Sequence, residues 1–387
     1  MTPEICSTWM MGCGEKGNNM VPPINRREFF GLAAAGLAPL ALPVLAWSGD
    51  GDEVEKNPAK DMITPKAQAA IDRGLKYLEE NQSADGSWGS QLYKGNIAVT
   101  SLAALAFMAG GNQPGRGPYG KCVDRAIEYV LDRQAQSSEP GFINSPGGSQ
   151  NGAMYNHGFG TLLLAEAYGM VSKKETQKRV RTALEGAVAL IKKAQNQLQG
   201  GWRYDTKGNS ADVSVTICQI MALRAARNAG IKVEKSIVDK CVKYVQTCQN
   251  SDGGFKYMKA ADGFSLFPRS AAGVVALNCA GIYDGPKIES GLKYLMQFKP
   301  TGQAPSPFGR GMNEMHYFYG HYYAAQAMWT AGGKYWQEWF PAIREDLLRR
   351  VRTNGSWLDP MVCTDYGTAM ACIILQIPNN YLPIMQK

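Results

Sequence analysis

The groups in this chain that could move a proton, hold a metal or steady a cation stand at the leading edges of apolar, alanine-rich runs. Asp212 opens Asp212-Val213-Ser214-Val215-Thr216, and His157 closes Tyr155-Asn156-His157. Arg269 closes Phe267-Pro268-Arg269, His321 sits among Tyr317, Tyr319, Tyr322 and Tyr323, and Cys363-Thr364-Asp365 precedes the last apolar run. A carboxyl group such as Asp212 or Asp365 can give or take a proton, as can the imidazole of His321, so these three are the candidate catalytic residues. Tyr155, Trp202, Tyr319 and Tyr322 offer ring faces that suit an apolar molecule or a carbocation; with His157 and Arg269 they are the candidate ligand contacts. The same walls would suit a sugar, with Asp212 and Asp365 as acid and base. Each group also has a plain structural reading: Asp212 as a helix cap, His321 as a satisfied histidine, Cys363 as a buried thiol. No phosphate-binding glycine loop and no dinucleotide motif occurs, and three histidines give no basis for a catalytic triad.

These groups are positioned by a repeat. Six times between residues 71 and 375 the chain runs from an amphipathic helix through a Gly-rich corner ending in Trp or Phe into an Ala-rich helix. The corners are Gly86-Ser87-Trp88, Gly141-Phe142, Gly200-Gly201-Trp202, Gly253-Gly254-Phe255, a blurred one near Phe308, and Gly355-Ser356-Trp357. They recur roughly every 50 to 60 residues, the length of two helices and two connections. Apolar positions such as Ile71, Leu75 and Leu78 return at intervals of three and four, which is helical. The second helix of each pair is apolar nearly all round and has to be buried. Six such pairs can close, and the expected fold is an all-α (α/α)6 toroid, a ring of inner helices inside a ring of outer ones around a cavity. An open superhelix of the same pairs is the alternative.

Gln82-x3-Gly86-x-Trp88, Gln249-x3-Gly253-x-Phe255 and the looser Gln199-Gly200-Gly201-Trp202 resemble the QW repeats of squalene and other triterpene cyclases. The span from about Thr64 onward is similar to the α/α-toroid shared with protein prenyltransferase β subunits. The resemblance implies working groups at the N-terminal ends of the inner helices, facing a cavity that takes a hydrophobic, isoprenoid-like substrate. Asp212 and Thr216 fall where squalene cyclases carry Asp-x-Asp-Asp-Thr, but Ser214 and Val215 replace two of its carboxylates. That loss removes the means of making one acid strong enough to protonate an alkene. In the prenyltransferases zinc is held by Asp-x-Cys and a later His. Here Cys363-x-Asp365 follows His321, a mirrored order that weighs against zinc, and no cofactor is expected. Two functions follow: an enzyme acting on a hydrophobic substrate, or a non-catalytic toroid that binds a lipid, glycan or protein partner.

The chain has 387 residues, a formal charge of +8 and 43 glycines, the last a consequence of the corners. Basic residues alternate with acidic ones, as in Lys173-Lys174-Glu175 and Arg344-Glu345-Asp346, and no basic stripe with interleaved aromatics points to nucleic acid. Seven of the nine cysteines lie beyond residue 100, an odd number that does not suggest a disulfide framework. Asn25-Arg26-Arg27-Glu28-Phe29-Phe30 precedes an apolar run over 31–47 and resembles a twin-arginine export signal. The expected organisation is an export signal over 1–47, a polar linker over 48–63 and one toroid domain over 64–387. Such a protein is periplasmic or held in the cell envelope, and is membrane-associated only if the signal stays uncleaved.

Overall fold

The computed structural model describes residues 62–145, 152–259, 263–302 and 316–386. The expected export signal, nearly all of the linker and the blurred corner near Phe308 lie outside the described residues. Within them are twelve α-helices, with isolated bridges but no β-strand. The outer helices are α1 (Pro65–Glu80), α3 (Gly120–Ala135), α5 (Lys174–Ala194), α7 (Lys235–Thr247), α9 (Pro286–Met296) and α11 (Gly333–Arg350). The inner helices are α2 (Ile97–Ala109), α4 (Ala153–Tyr168), α6 (Val213–Asn228), α8 (Phe267–Cys279), α10 (Tyr317–Ala331) and α12 (Thr364–Gln376). α1 buries one stripe, Ala67, Ala70, Ile71, Gly74, Leu75 and Leu78, whereas α2 buries every residue except Ala98. That difference is the physical basis of the two rings.

The ring closes. The inner helices pack in chain order from α2 to α12, and α12 returns to α2. A Cβ added to Gly74 of the first unit would lie 2.6 Å from Cys372 Sγ and 2.8 Å from the Trp357 ring of the sixth. Gln376 also donates from Nε2 to the Ala106 carbonyl at 3.0 Å. An open superhelix would leave these groups apart.

Each of the five corners among the described residues is built the same way. Its glycine has positive φ and approaches the backbone of the next outer helix so closely that a Cβ would collide: Gly86 with Arg125, Gly141 with Gly186, Gly200 with Lys240, Gly253 with Ser290 and, completing the circle, Gly355 with Arg73. The corner tryptophans are buried, and their indole N–H groups donate to the last turns of their own outer helices, Trp88 to Leu78 O, Trp202 to Ile191 O and Trp357 to Leu347 O. A glutamine clamps each of the first four corners to the following unit. Gln82, Gln134, Gln195 and Gln249 each donate from Nε2 both to the corner-glycine carbonyl and to a carbonyl of the next outer helix, at 2.8–3.0 Å. In the third unit this clamp is Gln195, so Gln199, the residue the repeat motif suggested, is replaced in that role by one four positions earlier.

The inner ring accepts the corner backbone in return. Thr100, Thr216, Ser270 and Thr368 take the N–H of Trp88, Trp202, Phe255 and Trp357 on their hydroxyls at 2.8–3.0 Å. His157 takes the Ile143 N–H on Nδ1 at 3.1 Å. Along the axis, side chains fill much of the expected hollow: Tyr322, Tyr323 and Cys218 are all at most 2% exposed. At the C-terminal ends of the inner helices the segment 383–386 lies across the ring. Glu166 accepts the Ile384 N–H at 3.1 Å, Trp329 donates to Met385 O at 3.1 Å, and Arg224 donates to Gln386 O. Two cavities of about 10 Å³ each remain beside Met385.

Candidate functional site

The opposite end of the ring, where the inner helices begin, gathers polar and aromatic groups around Asp212. Asp212 is the N-cap of α6, and its Oδ1 accepts the Val215 N–H at 2.8 Å, the ordinary work of a capping carboxylate. Its Oδ2 is fully buried and takes no well-aligned hydrogen bond. Burial pushes the carboxyl up to about 6, against the pull of the Val215 N–H and the nearby Arg203 guanidinium. The Ser214 N–H and the Tyr257 hydroxyl also pull it down, so one residue joins the helix cap to the neighbouring tyrosines.

The floor around it is tyrosine. Tyr155 in the first turn of α4 packs against Tyr204 with ring centroids 6.2 Å apart, and the Tyr204 and Tyr257 hydroxyls share a hydrogen bond. Tyr319 in the first turn of α10 donates to Ser214 O at 3.0 Å, and its ring meets Tyr323 edge-on at 4.9 Å. Tyr155, Tyr204, Tyr257 and Tyr319 are partly exposed, and Tyr322 lies beneath them fully buried. The segments carrying Tyr204 and Tyr257 are fixed by backbone. Met154 N–H donates to Tyr204 O at 3.2 Å and Val213 N–H to Tyr257 O at 3.0 Å, so first-turn donators of α4 and α6 are satisfied by the corner of the following unit. Burial pushes the Tyr155 and Tyr319 phenols well up.

Other sequence-derived candidates stand elsewhere. His157 points between the rings: its Nε2 lies 3.2 Å from Ala187 O on α5, and with Nδ1 accepting from Ile143 the imidazole is a neutral spacer, pulled down to about 4 by burial. His321 faces the same interlayer, its ring 4.9 Å from Phe267, 4.5 Å from Tyr317 and 5.8 Å from Trp339 of α11, and burial pulls it down to about 3. Trp202 is wedged in its corner. Arg269 donates from Nε to Phe255 O at 3.0 Å and from Nη2 to Phe264 O. Asp365 accepts the Gly89 N–H at 3.0 Å and meets Tyr77, tying unit six to the corner of unit one. Cys363 caps α12, and burial pushes its thiol up to about 11. His321 is thus enclosed by aromatic rings while Asp365 and Cys363 bind corner backbone. Among the described residues no three His, Cys, Asp or Glu side chains form a group fit to hold a metal, so this donor set does not fit zinc.

Arg203, Tyr204 and Tyr257 are absent from the sequence-derived set. A signal for them exists in Trp202-Arg203-Tyr204 and Phe255-Lys256-Tyr257, an aromatic-basic-tyrosine triplet repeated at successive corners.

The prenyltransferase alpha-alpha toroid domain family matches residues 59–160 and again 121–263, together more than half of the chain. This chain belongs to that family. No curated protein sequence matches it. Among solved structures, the GH76A α-1,6-mannanase of Salegentibacter sp. HEL1_6 is similar with a TM-score of 0.57 at 9% identity, covering 81% of this chain and 99% of the mannanase. The type II terpene cyclase MstE from Scytonema gives 0.53 at 16% identity, over 82% of this chain and 100% of the cyclase. A variant of that cyclase in complex with its substrate, geranylgeranyl dihydroxybenzoate, gives 0.54 at 15% identity, over 84% and 99%. At such identities the likeness is one of fold, the α/α toroid, which hosts both terpenoid and glycan chemistry.

Proposed function

We propose that this protein binds a hydrophobic, isoprenoid-like molecule at the end of the ring where the inner helices begin, on the floor made by Tyr155, Tyr204, Tyr257 and Tyr319. The observation that carries this reading is the composition of that floor: partly exposed tyrosines over a buried aromatic axis, with the buried carboxyl of Asp212 beside them. The toroid neighbour that holds geranylgeranyl dihydroxybenzoate supports an isoprenoid. A glycan has less support. The mannanase is inactive when two consecutive aspartates are replaced, and this sequence contains no two consecutive aspartates. The segment 1–47 directs the protein out of the cytoplasm by the twin-arginine route, and the toroid works in the periplasm or cell envelope.

Saturable binding of geranylgeraniol to the folded protein, followed by tyrosine and tryptophan fluorescence, tests the reading. Tyr155→Ala and Tyr319→Ala should each weaken it about tenfold while leaving the far-ultraviolet dichroism unchanged. Binding that never saturates, or that ignores both substitutions, would refute it.

Asp212 favours a second reading, catalysis. A buried carboxyl pushed up to about 6 beside the Tyr257 hydroxyl can hold a proton for a bound substrate. Such a carboxyl is too weak to protonate an unactivated alkene but can protonate an allylic hydroxyl as it leaves as water and take a proton back from the allylic cation, so incubation with geranylgeraniol then yields a dehydrated hydrocarbon that Asp212→Asn abolishes. Recovery of unchanged alcohol leaves a binding protein.

A further inference from the structure

The segment that closes the far end of the ring is attached unlike the helices it covers. The turn Ile377–Asn379 belongs to the ring, since Asn379 donates from Nδ2 to Ala109 O of α2 at 3.2 Å. At Asn380 the backbone enters the left-handed region, with φ +54°, and the chain turns across the ring end. Beyond it lies only the short turn Pro383–Met385. Three side chains of the inner ring hold this strap, each by a backbone group: Glu166 of α4 takes the Ile384 N–H at 3.1 Å, Trp329 of α10 donates to Met385 O at 3.1 Å, and Arg224 of α6 donates to Gln386 O. Leu382, Ile384 and Met385 are 3%, 5% and 6% exposed, so the strap seals the ring, yet the two cavities beside Met385 leave the packing under it incomplete.

The strap covers polar groups. Asn278 Oδ1 is buried without a hydrogen-bond partner, and Gln326 donates to Tyr322 O, one turn deeper along the axis, at 3.1 Å. Glu166 places a carboxyl under the seal, where a charge costs most. Among the described residues, Arg224 of α6 acts on it but is bonded to the carbonyls of Asn278 and Gln386; the Tyr322 phenol of α10 is held neutral by burial, α2 has no ionisable side chain, and Arg181 of α5 is taken by Glu185 and Tyr168. We propose that residues 380–386 are a pH-operated door: ionisation of Glu166 releases the strap about Asn380 and uncovers a second mouth onto the axis, opposite the tyrosine floor. This device is independent of the ligand proposed above. With the strap closed the carboxyl is pushed up to about 8, and with the strap released water restores its ordinary 4.5, so the closed form binds the proton more tightly and rising pH favours opening.

Hydrogen exchange read by mass spectrometry on the full chain tests the door, with a peptide covering 381–386 compared at pH 6 and pH 8 after correction for intrinsic rates. Protection there should fall about 10- to 100-fold in the parent protein while that of α5 and α6 stays constant, and should not fall in Glu166→Gln. Trp329→Phe removes the bond to Met385 O and keeps Glu166, so it should lower protection at both pH values and preserve their ratio. Cys279, buried beside Met385 under the strap, reports the mouth: at pH 8 iodoacetamide should alkylate it about tenfold faster in the parent than in Glu166→Gln. Protection in 381–386 that is equal at both pH values, that falls as much in Glu166→Gln, or that falls only together with α5 and α6 overturns the door. Release of the strap with Cys279 equally slow in both proteins overturns the second mouth. Should Glu166→Gln fail to fold, the parent's ratio measured against α5 and α6, and its persistence in Trp329→Phe, decide the question.

Discussion

Gln195 and Gln199 differ by four positions and stand in unlike surroundings. Gln195 Nε2 satisfies Gly200 O and Ile237 O together, so Gln195→Ala strands two carbonyls between units and should cost about 1–3 kcal/mol in chemical denaturation, against less than about 0.5 kcal/mol for Gln199→Ala. The motif read from sequence located the glycine and the aromatic of this corner because backbone geometry fixes both. It did not locate the clamp, since Gln82 and Gln249 precede their glycine by four residues, Gln195 by five and Gln134 by seven. A long polar side chain reaches the same two carbonyls from several starting points. Side-chain direction was the other illegible property. His157 and His321 stand at the starts of inner helices as expected, yet each residue of a helix turns about 100° from the last, and their register aims them between the rings. Tyr155 and Tyr319, two residues earlier in each helix, face the axis instead.

At the scale of elements, the inner helices have unequal ends. Their beginnings show partly exposed tyrosine, with side-chain caps on α2 and α6; their far ends are closed by the segment 383–386. Glu166 lies in the last turn of α4, where both burial and the helix dipole disfavour its charge, and burial pushes its carboxyl up to about 8. A carboxyl raised in the folded state binds its proton more tightly there than in the unfolded chain, so its contribution is greatest at low pH and is lost as pH rises from about 4.5 to about 8. His157 and His321, both lowered by burial, act in the other sense below about 6.5. The interval from pH 6.5 to 8 therefore belongs mainly to Glu166. The thermal midpoint of the parent protein should fall across it, and that of Glu166→Gln should stay level; equal slopes would remove Glu166 as the cause. Nothing in the sequence marked this residue, because its partner Ile384 lies 218 positions away.

For the whole molecule, closure is the decisive property, and it was legible because one corner recurs often enough to count. Gly355 has φ +84° and its added Cβ would lie 2.7 Å from Arg73 Cβ, whereas Gly230 has φ +85° with nothing within 4 Å. Gly230→Ala should cost about 1–2 kcal/mol, the left-handed backbone alone. Gly355→Ala should cost more, and should loosen the junction of units six and one, read as faster amide exchange in α1 and α12 than in α5 and α6. The extent of filling inside the closed ring could not be read beforehand, because composition does not say which way Tyr322 and Tyr323 turn. What remains for function is the end where the inner helices begin. A photoreactive geranylgeraniol, cross-linked and mapped by peptide mass spectrometry, tests that location most directly. Labels should fall on peptides carrying Tyr155, Tyr204, Tyr257 or Tyr319 and be displaced by unlabelled geranylgeraniol. Displaceable labels confined to the outer helices or to residues 377–386 would contradict it.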